Sequence, residues 1–168
     1  MKIITVGIAE SNIVRAPEKI MTVGLGSCCG VVLYDEINKI AGLVHILLPD
    51  SKVDKKMDNK SKYADSGIYL LYDQMIKSGA NKRLIRAKLA GGAHMFNFKN
   101  SGSSIFTIGE KNVKSCKETL AKLNISIVSE DVLGSCGRTI VFDTLTNKLT
   151  IKSVGKRKKL FKRRVYYL

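Results

Sequence analysis

Two residues whose side chains can cooperate in covalent catalysis lie near the amino terminus, Cys28 and His45. A thiolate is a strong nucleophile, and an imidazole close to it can accept and return the proton. The turn before the cysteine, Gly24-Leu25-Gly26-Ser27, contains two glycines and can place backbone N–H groups beside the sulfur. Such donors stabilise an oxyanion and lower the pKa of a thiol. The pattern indicates acyl-transfer chemistry, with Gly26 and Ser27 in the turn that holds the oxyanion.

Whether thiol and imidazole meet depends on how two neighbouring strands pair. Apolar runs on both sides of the polar stretch 35–39 predict an antiparallel hairpin. A two-residue loop at Glu36-Ile37 would place Cys28 directly opposite His45, with Cβ atoms about 5 Å apart. In that register Cys29 points to the opposite face and is a core residue. A loop one residue longer would pair Cys29 with His45 instead.

The other cysteines and the second histidine carry weaker signals. The four cysteines show no C-x-x-C spacing, so we expect neither structural zinc nor a disulfide framework, and the chemistry needs no metal or organic cofactor. Cys116 falls in a helical apolar pattern and is interpreted as a core residue. His94 follows Gly91 and Gly92, and all three could line the same cleft, although a surface or packing role is more frequent for such a histidine. A structural role is also the alternative for the cysteine and histidine of the hairpin.

The elements that must position these residues are those of an α+β domain. Helical apolar spacing predicts helices over 64–76 and 110–123, ended by Gly79 and Asn124. Strands are predicted over 3–8, 19–23, 28–34, 40–48, 84–89, 125–128, 139–143 and 149–154. Connections are predicted over 10–17, 50–62, 91–93, 101–104 and 144–148. Strands outnumber helices and mostly form hairpins, so the predicted fold class is α+β.

The charge of the chain is strongly positive and unevenly distributed. Basic residues outnumber acidic ones 29 to 14, a formal net charge of +15 that favours anionic partners. Eight basic residues and no acidic one lie within 152–164, so we divide the chain into a domain over 1–154 and a basic tail over 155–168. The tail could contact nucleic acid, anionic membrane or an acidic protein surface, but a solvated, partly disordered terminus is favoured. Elsewhere basic and aromatic residues are not interleaved, so nucleic-acid binding is not expected.

The sequence also bears on localisation. No apolar stretch approaches the ~20 residues of a membrane span, and the apolar run over 3–8 is too short for a secretory signal. We therefore expect a cytoplasmic protein whose cysteines are thiols.

Several motifs occur in a fixed order along the chain. They are Thr22-Val23-Gly24-Leu25-Gly26-Ser27-Cys28, Leu33-Tyr34-Asp35, Gly42, His45, Leu48-Pro49, Lys62-Tyr63-Ala64-Asp65, Ala87-Lys88-Leu89-Ala90-Gly91-Gly92-Ala93 with Met95-Phe96, Ile108-Gly109-Glu110-Lys111-Asn112-Val113, and Glu130-Asp131 with Gly134 and Arg138. Over residues 3 to about 154 this series resembles the CheD family of chemoreceptor glutamine deamidases. The resemblance implies a single-domain α+β sandwich of mainly antiparallel strands with two long helices, similar to the catalytic core of the cytotoxic necrotizing factor toxins.

The same resemblance implies roles and partners. Matched residue by residue, Cys28 is the nucleophile, His45 the general base and acid, and Thr22 the group that orients the imidazole. The implied substrate is a glutamine in the cytoplasmic helices of a chemoreceptor, and the implied regulatory partner is a CheC-type phosphatase. The chain departs from the family at Leu133, Ser135 and Cys136, where relatives tend to carry glycine, asparagine and arginine.

Three other functions compete with deamidation. A non-catalytic adaptor that binds a phosphatase or receptor would keep the cleft without using it. A basic nucleic-acid-binding domain would bind in a strongly salt-dependent way. A cysteine protease would share the thiol chemistry but cleave the substrate backbone.

Overall fold

The computed structural model describes residues 1–95, 107–157 and 160–168. The strands in these ranges are β1 (Ile3–Thr5), β2 (Ser11–Arg15), β3 (Lys19–Leu25), β4 (Cys29–Asp35), β5 (Ile40–Ile46), β6 (Arg86–Gly91), β7 (Ile127–Val132), β8 (Gly137–Asp143), β9 (Leu149–Arg157) and β10 (Leu160–Tyr167). The α-helices are α1 (Ala64–Lys77) and α2 (Ile108–Lys122), and short 3-10 helices occupy Ser51–Val53 and Lys60–Lys62. The α+β class predicted from the sequence is confirmed.

The strands form two five-stranded sheets. The first has the order β1-β3-β8-β9-β10 and the second the order β2-β5-β4-β6-β7. Pairing is antiparallel except for β1 with β3 and β6 with β7, so both sheets are mixed, with antiparallel pairs in the majority. The predicted hairpin of β4 and β5 forms at the centre of the second sheet.

The apolar residues divide into two cores on opposite faces of the second sheet. One core lies between the sheets and combines residues such as Val32 and Leu43 with Ile140 and Ile151 of the first sheet. The other lies between the second sheet and the two helices, which pack on its outer face. Because both faces of β4 and β5 are covered, every residue of these strands is buried. This explains why both segments read as continuous apolar runs.

The helices end where local sequence signals place them. Gly79 follows α1 with φ of +95°, a left-handed conformation that favours glycine. Helix α2 starts at Ile108, two residues before the predicted start, because Thr107 and Glu110 form a reciprocal capping box. Neither helix of the described chain is long and apolar enough to cross a bilayer.

Two connections predicted from the sequence contain regular structure. The segment 10–17, predicted as a connection, contains the edge strand β2, where only Val14 is buried and the polar neighbours obscure the pattern. The loop 50–62 contains two short 3-10 helices. The turn predicted over 101–104 lies outside the described residues.

The basic carboxyl-terminal segment was expected to be partly disordered, and this is wrong for its backbone. Strand β10 pairs with β9 along its whole length, and Leu149 and Leu168 exchange backbone hydrogen bonds of 3.0 and 2.9 Å. Lys88 also donates to the carbonyl oxygen of Leu168 at 2.7 Å. The β-branched and aromatic residues between the charges favour a strand, and charge count alone did not reveal this.

Candidate active site

The β4–β5 turn is longer than the sequence suggested, and this changes the register. Both Ile37 and Asn38 donate backbone N–H groups to Asp35 Oδ1, at 3.1 and 3.0 Å, and the turn spans four residues. As a result Gly30 lies opposite His45, so both registers considered from the sequence are wrong.

The corrected register still brings Cys28 and His45 to one face. Cys28 lies two residues before Gly30, and side chains two apart in a strand share a face. Cys28 immediately precedes β4, and continuing the alternation of the strand by one residue puts its side chain on the face of His45. Consistent with this, Cys28 packs in the core between the sheets, whereas Cys29 packs in the core beneath the helices. The prediction that Cys29 is a core residue on the opposite face is confirmed.

The imidazole of His45 is held from the opposite sheet by Thr22 of β3. The Thr22 hydroxyl lies 2.7 Å from Nδ1 of His45 and donates to the carbonyl oxygen of Val6, also at 2.7 Å. The Thr22 hydroxyl has one proton, which it donates to the Val6 carbonyl. Its oxygen can therefore only accept a hydrogen bond from the Nδ1–H group of His45. This assigns the neutral tautomer in which Nε2 carries the free lone pair.

Burial sets the protonation of both groups. His45 has no exposed surface, and burial lowers its pKa to about 4. Its Nε2 has no hydrogen-bond partner within the described residues. Burial and then the neighbouring Cys29 raise the pKa of Cys28, although its own backbone N–H acts to lower it. The sequence-based expectation of a lowered thiol pKa is therefore wrong in its net sign, and at neutral pH the pair rests as thiol and neutral imidazole.

The turn before Cys28 contains two N–H groups that have no acceptor in the described part of the chain. Gly24 adopts φ of +72°, and the Gly26 N–H donates to the Gly24 carbonyl at 3.0 Å. Within the described residues, neither the Ser27 nor the Cys28 N–H donates a hydrogen bond. Gly26 thus shapes the turn, whereas Ser27 and Cys28 supply the donors available for an oxyanion.

Gly91 and Gly92 pack against the backbone of Cys28. A Cβ on Gly91 would lie 2.2 Å from the Cys28 carbonyl oxygen, and the Gly92 N–H donates to the same oxygen at 2.8 Å. Both glycines are buried, and their lack of a side chain lets their backbone contact that of Cys28 directly. His94 is exposed, and its N–H donates to the Gly134 carbonyl at 2.7 Å, so the structure gives it a surface position.

The loop that departs from the family pattern is held by a neighbouring arginine. Arg138 donates to both carboxylate oxygens of Asp131, at 2.9 and 3.1 Å. It also donates to the carbonyl oxygens of Leu133 and Cys136, at 2.9 and 3.2 Å. These bonds use backbone oxygens, so they depend little on the side chains at the departing positions.

Two contributors to the site were not assigned a role from the sequence. The Val6 carbonyl fixes the Thr22 hydroxyl, and a backbone group leaves no sequence signal. Asn112 of α2 is fully buried and donates to the Ser27 carbonyl at 2.9 Å. The sequence does contain a signal for Asn112. It is a polar residue at a spacing of four and eight from Cys116 and Leu120, on the face of the helix that is otherwise apolar.

Comparison with known proteins identifies the family. Residues 47–153 match the family model described as CheD chemotactic sensory transduction. The chain belongs to the CheD family. A relative from Clostridium botulinum strain Hall, called a probable chemoreceptor glutamine deamidase CheD, is 50% identical over 155 residues, 92% of this chain and 95% of its own. One from Caldanaerobacter subterraneus subsp. tengcongensis with the same name is 49% identical over 154 residues, covering 92% and 94%.

The two kinds of match cover the candidate site differently. The matched range of the CheD family model begins after His45, so it does not include Thr22 or Cys28. The matches to the relatives extend over 92% of the chain, which takes in the stretch from Thr22 to His45.

Proposed function

We propose that this protein hydrolyses the side-chain amide of specific chemoreceptor glutamines to glutamate, with Cys28 as nucleophile. The observation that carries the proposal is a buried imidazole, held at Nδ1 by Thr22, whose free Nε2 shares a face with Cys28. The names of the CheD relatives, which describe chemoreceptor glutamine deamidases, support the reaction and the substrate class.

In the first half-reaction the resting thiol must lose its proton as it attacks. Nε2 of His45 accepts the Cys28 proton while the sulfur bonds to the amide carbon. The N–H groups of Ser27 and Cys28 stabilise the negative charge that develops on the amide oxygen. The imidazolium then protonates the departing nitrogen, the C–N bond breaks, and ammonia leaves a thioester on Cys28.

In the second half-reaction water replaces ammonia. Neutral His45 takes a proton from a water molecule as its oxygen attacks the thioester carbon. The carbon–sulfur bond breaks, the thiol recovers its proton, and glutamate is released. The Thr22 hydroxyl remains hydrogen-bonded to Nδ1 throughout, so Nε2 carries the proton in both half-reactions. No cofactor is required for either.

The substrate must be distinguished by what surrounds the glutamine, since every glutamine has the same amide. We propose that the substrate glutamine lies on a cytoplasmic helix of a chemoreceptor and that the reaction takes place in the cytoplasm. The formal charge of +15 would favour an acidic receptor surface at moderate ionic strength.

Three further proposals rest on the family resemblance or on charge. A CheC-type phosphatase is proposed as the regulatory partner. The Cys/His arrangement is proposed to be similar to the catalytic core of the cytotoxic necrotizing factor toxins. The basic segment 155–168 is proposed as a separate functional unit that makes transient contact with anionic membrane, for which the support is its charge.

Mass spectrometry of receptor cytoplasmic fragments tests the function. Wild type should raise the intact mass by about one dalton per modified glutamine without cleaving the chain, and Cys28→Ala should not. Cys29→Ala is the matched control, because it removes the adjacent thiol, which faces the other core. Fragments that gain mass equally with wild type and Cys28→Ala would contradict the mechanism.

The same experiment separates catalysis from an adaptor role. An adaptor leaves the mass of the receptor fragment unchanged while binding it, and binding survives in Cys28→Ala and His45→Ala. A cysteine protease instead yields shorter fragments.

A further inference from the structure

The side chain of Asn112 links the segments that carry the nucleophile and the base. Its Nδ2 donates to the Ser27 carbonyl at 2.9 Å and to the Leu47 carbonyl at 3.1 Å. Both partners are carbonyl oxygens, so the amide orientation is fixed, because only the NH₂ group can donate to them. Ser27 precedes the nucleophile, and Leu47 follows His45 by two residues. One amide therefore connects the two segments of the proposed active site.

These bonds stand where the β4–β5 ladder stops. The last paired residues are Cys29 and Ile46. Beyond them the Leu47 N–H turns away and donates to the carbonyl of Lys62 at 3.0 Å. Beyond the end of the ladder, the carbonyl oxygens of Ser27 and Leu47 have no partner in the opposite strand. The side-chain amide of Asn112 donates to both of them instead. The strands can thus separate at the reactive end without leaving the two oxygens unsatisfied.

Asn112 reaches this position because α2 docks backbone to backbone on the glycine loop. A Cβ on Gly109 would lie 2.5 Å from the Gly92 carbonyl oxygen, and one on Gly92 would lie 2.2 Å from a methyl of Val113. The helix backbone at Gly109 therefore lies directly against the backbone of this loop. The loop in turn binds the Cys28 carbonyl through the Gly92 N–H at 2.8 Å. The amide of Asn112 is therefore rigidly placed relative to the nucleophile.

The geometry of the peptide bond transmits this constraint to the nucleophile. The bond between Ser27 and Cys28 is trans, so its C=O and N–H groups point in opposite directions. Holding the Ser27 oxygen towards Asn112 directs the Cys28 N–H away from α2. The same N–H acts to lower the pKa of its own residue's thiol, so it lies close to the sulfur. The donor is thus directed towards the place where the amide oxygen of a substrate would become negative.

We propose that Asn112 is a positioning residue, which fixes the Ser27–Cys28 peptide so that the Cys28 N–H is aimed at the oxyanion of the reaction. This inference rests on the proposed deamidase function. It predicts that Asn112 contributes to the transition state and little to substrate binding, since its contacts are with the protein alone.

The test compares two Asn112 variants with a matched variant in the same helix. Asn112→Asp keeps the shape and removes the NH₂ donor, and Asn112→Ala removes the group without introducing a buried charge. Thr119→Ala is the control, because Thr119 is also buried in α2 and its hydroxyl donates only within the helix, to Ser115 at 2.8 Å. Circular dichroism and thermal melting establish that each variant is folded.

Two rates are measured on each folded variant. For deamidation of the receptor fragment, we expect kcat to fall about 100-fold in the Asn112 variants, as when an oxyanion donor is lost, with KM within about twofold. Alkylation of Cys28 by iodoacetamide requires the thiolate but no oxyanion, and it should fall by about tenfold at most. Thr119→Ala should change either rate by no more than about twofold.

The outcomes distinguish this inference from the proposed function. If wild type alkylates but leaves every receptor glutamine unchanged, the deamidase function fails and the inference with it. If wild type is active and a folded Asn112 variant matches Thr119→Ala in kcat, only the inference fails. Equal losses of deamidation and alkylation also overturn it, because Asn112 would then act on the thiol in general.

Discussion

The two ends of the β4–β5 hairpin both bury polar side chains, and they differ in how completely these are hydrogen-bonded. At the turn end, the Asp35 carboxylate accepts backbone N–H groups from Ile37, Asn38 and Asn81 and the side-chain amide of Asn38. At the other end, His45 makes a single side-chain hydrogen bond within the described residues. The Ser27 and Cys28 N–H groups of the neighbouring turn also lack acceptors among the residues that the structure describes.

This difference suggests that the turn end of the hairpin contributes to stability and the other end to reactivity. A buried group with all its partners stabilises the fold, whereas an unsatisfied one costs about 1–3 kcal/mol and is retained where it serves another purpose. Burial would raise the pKa of Asp35, but the hydrogen bonds from Asn38, Asn81 and Ile37 hold it below its usual value. His45 has no such compensation, and burial alone lowers its pKa. Asp35 is thus fixed in its charged form and His45 is left able to accept a proton.

The largest effect on activity is expected when His45, the proposed base, is replaced. His45→Gln should lower the kcat of deamidation by about 10²–10⁴-fold, because it removes the group proposed to move the proton. The measurement is the initial rate of ammonia release from a receptor fragment, with circular dichroism as the check on folding. The control is His94→Gln, which alters the exposed histidine and should leave kcat unchanged. A large loss in the control would place His94 in the cleft after all.

Removing the satisfied carboxylate should have its effect on stability instead. Asp35→Ala leaves the N–H groups of Ile37, Asn38 and Asn81 without their acceptor, so we expect a loss of about 2–3 kcal/mol in the free energy of unfolding. Urea denaturation measures this, and the kcat of the folded variant should match wild type. Cys28→Ala, at the other end, should cost no more than about 1 kcal/mol. Similar losses for both variants would remove the distinction between the ends.

Much of the fold was predictable because its signals are local. The helices follow from apolar spacing and from Gly79, and the central hairpin follows from two apolar runs around a polar turn. Strand β2 was missed because a short edge strand buries a single side chain, Val14. Strand β10 was missed because its pairing with β9 depends on tertiary context that a basic composition conceals.

The residues of the candidate site could be proposed from the sequence, but their geometry could not. The register depended on the Asp35 side chain accepting two N–H groups of its own turn, a contact that lengthens the loop from two residues to four. The error was an even number of residues, so Cys28 stayed on the face of His45. The Val6 carbonyl and the role of Asn112 required the approach of separate elements, which no local pattern contains.

A smaller effect should follow when the imidazole loses its support. Thr22→Val keeps the shape of the side chain and removes the hydroxyl on Nδ1, so the favoured tautomer and the ring orientation are no longer fixed. Loss of one hydrogen bond of about 1–1.5 kcal/mol corresponds to about a tenfold decrease in kcat. Thr144→Val is the matched control, because Thr144 is equally buried and its hydroxyl donates to the Glu18 carbonyl at 2.7 Å, away from the site. Equal kcat values for the two variants would show that Thr22 does not position the base.

The smallest expected effect is a pH dependence of stability that distinguishes the two ends. Folded His45 has a pKa of about 4 against an ordinary value of 6.5, so between these values the unfolded chain binds a proton that the folded chain does not. The free energy of unfolding should therefore decrease as pH falls from 6.5 towards 4. Asp35 has a lowered pKa, so its contribution is lost only below its ordinary value of 3.8. Urea titrations at intervals from pH 7.5 to 4.5 should show a shallower slope in His45→Gln, whereas Asp35→Ala should keep the wild-type slope. An unchanged slope in His45→Gln would mean that the imidazole is not held neutral by burial.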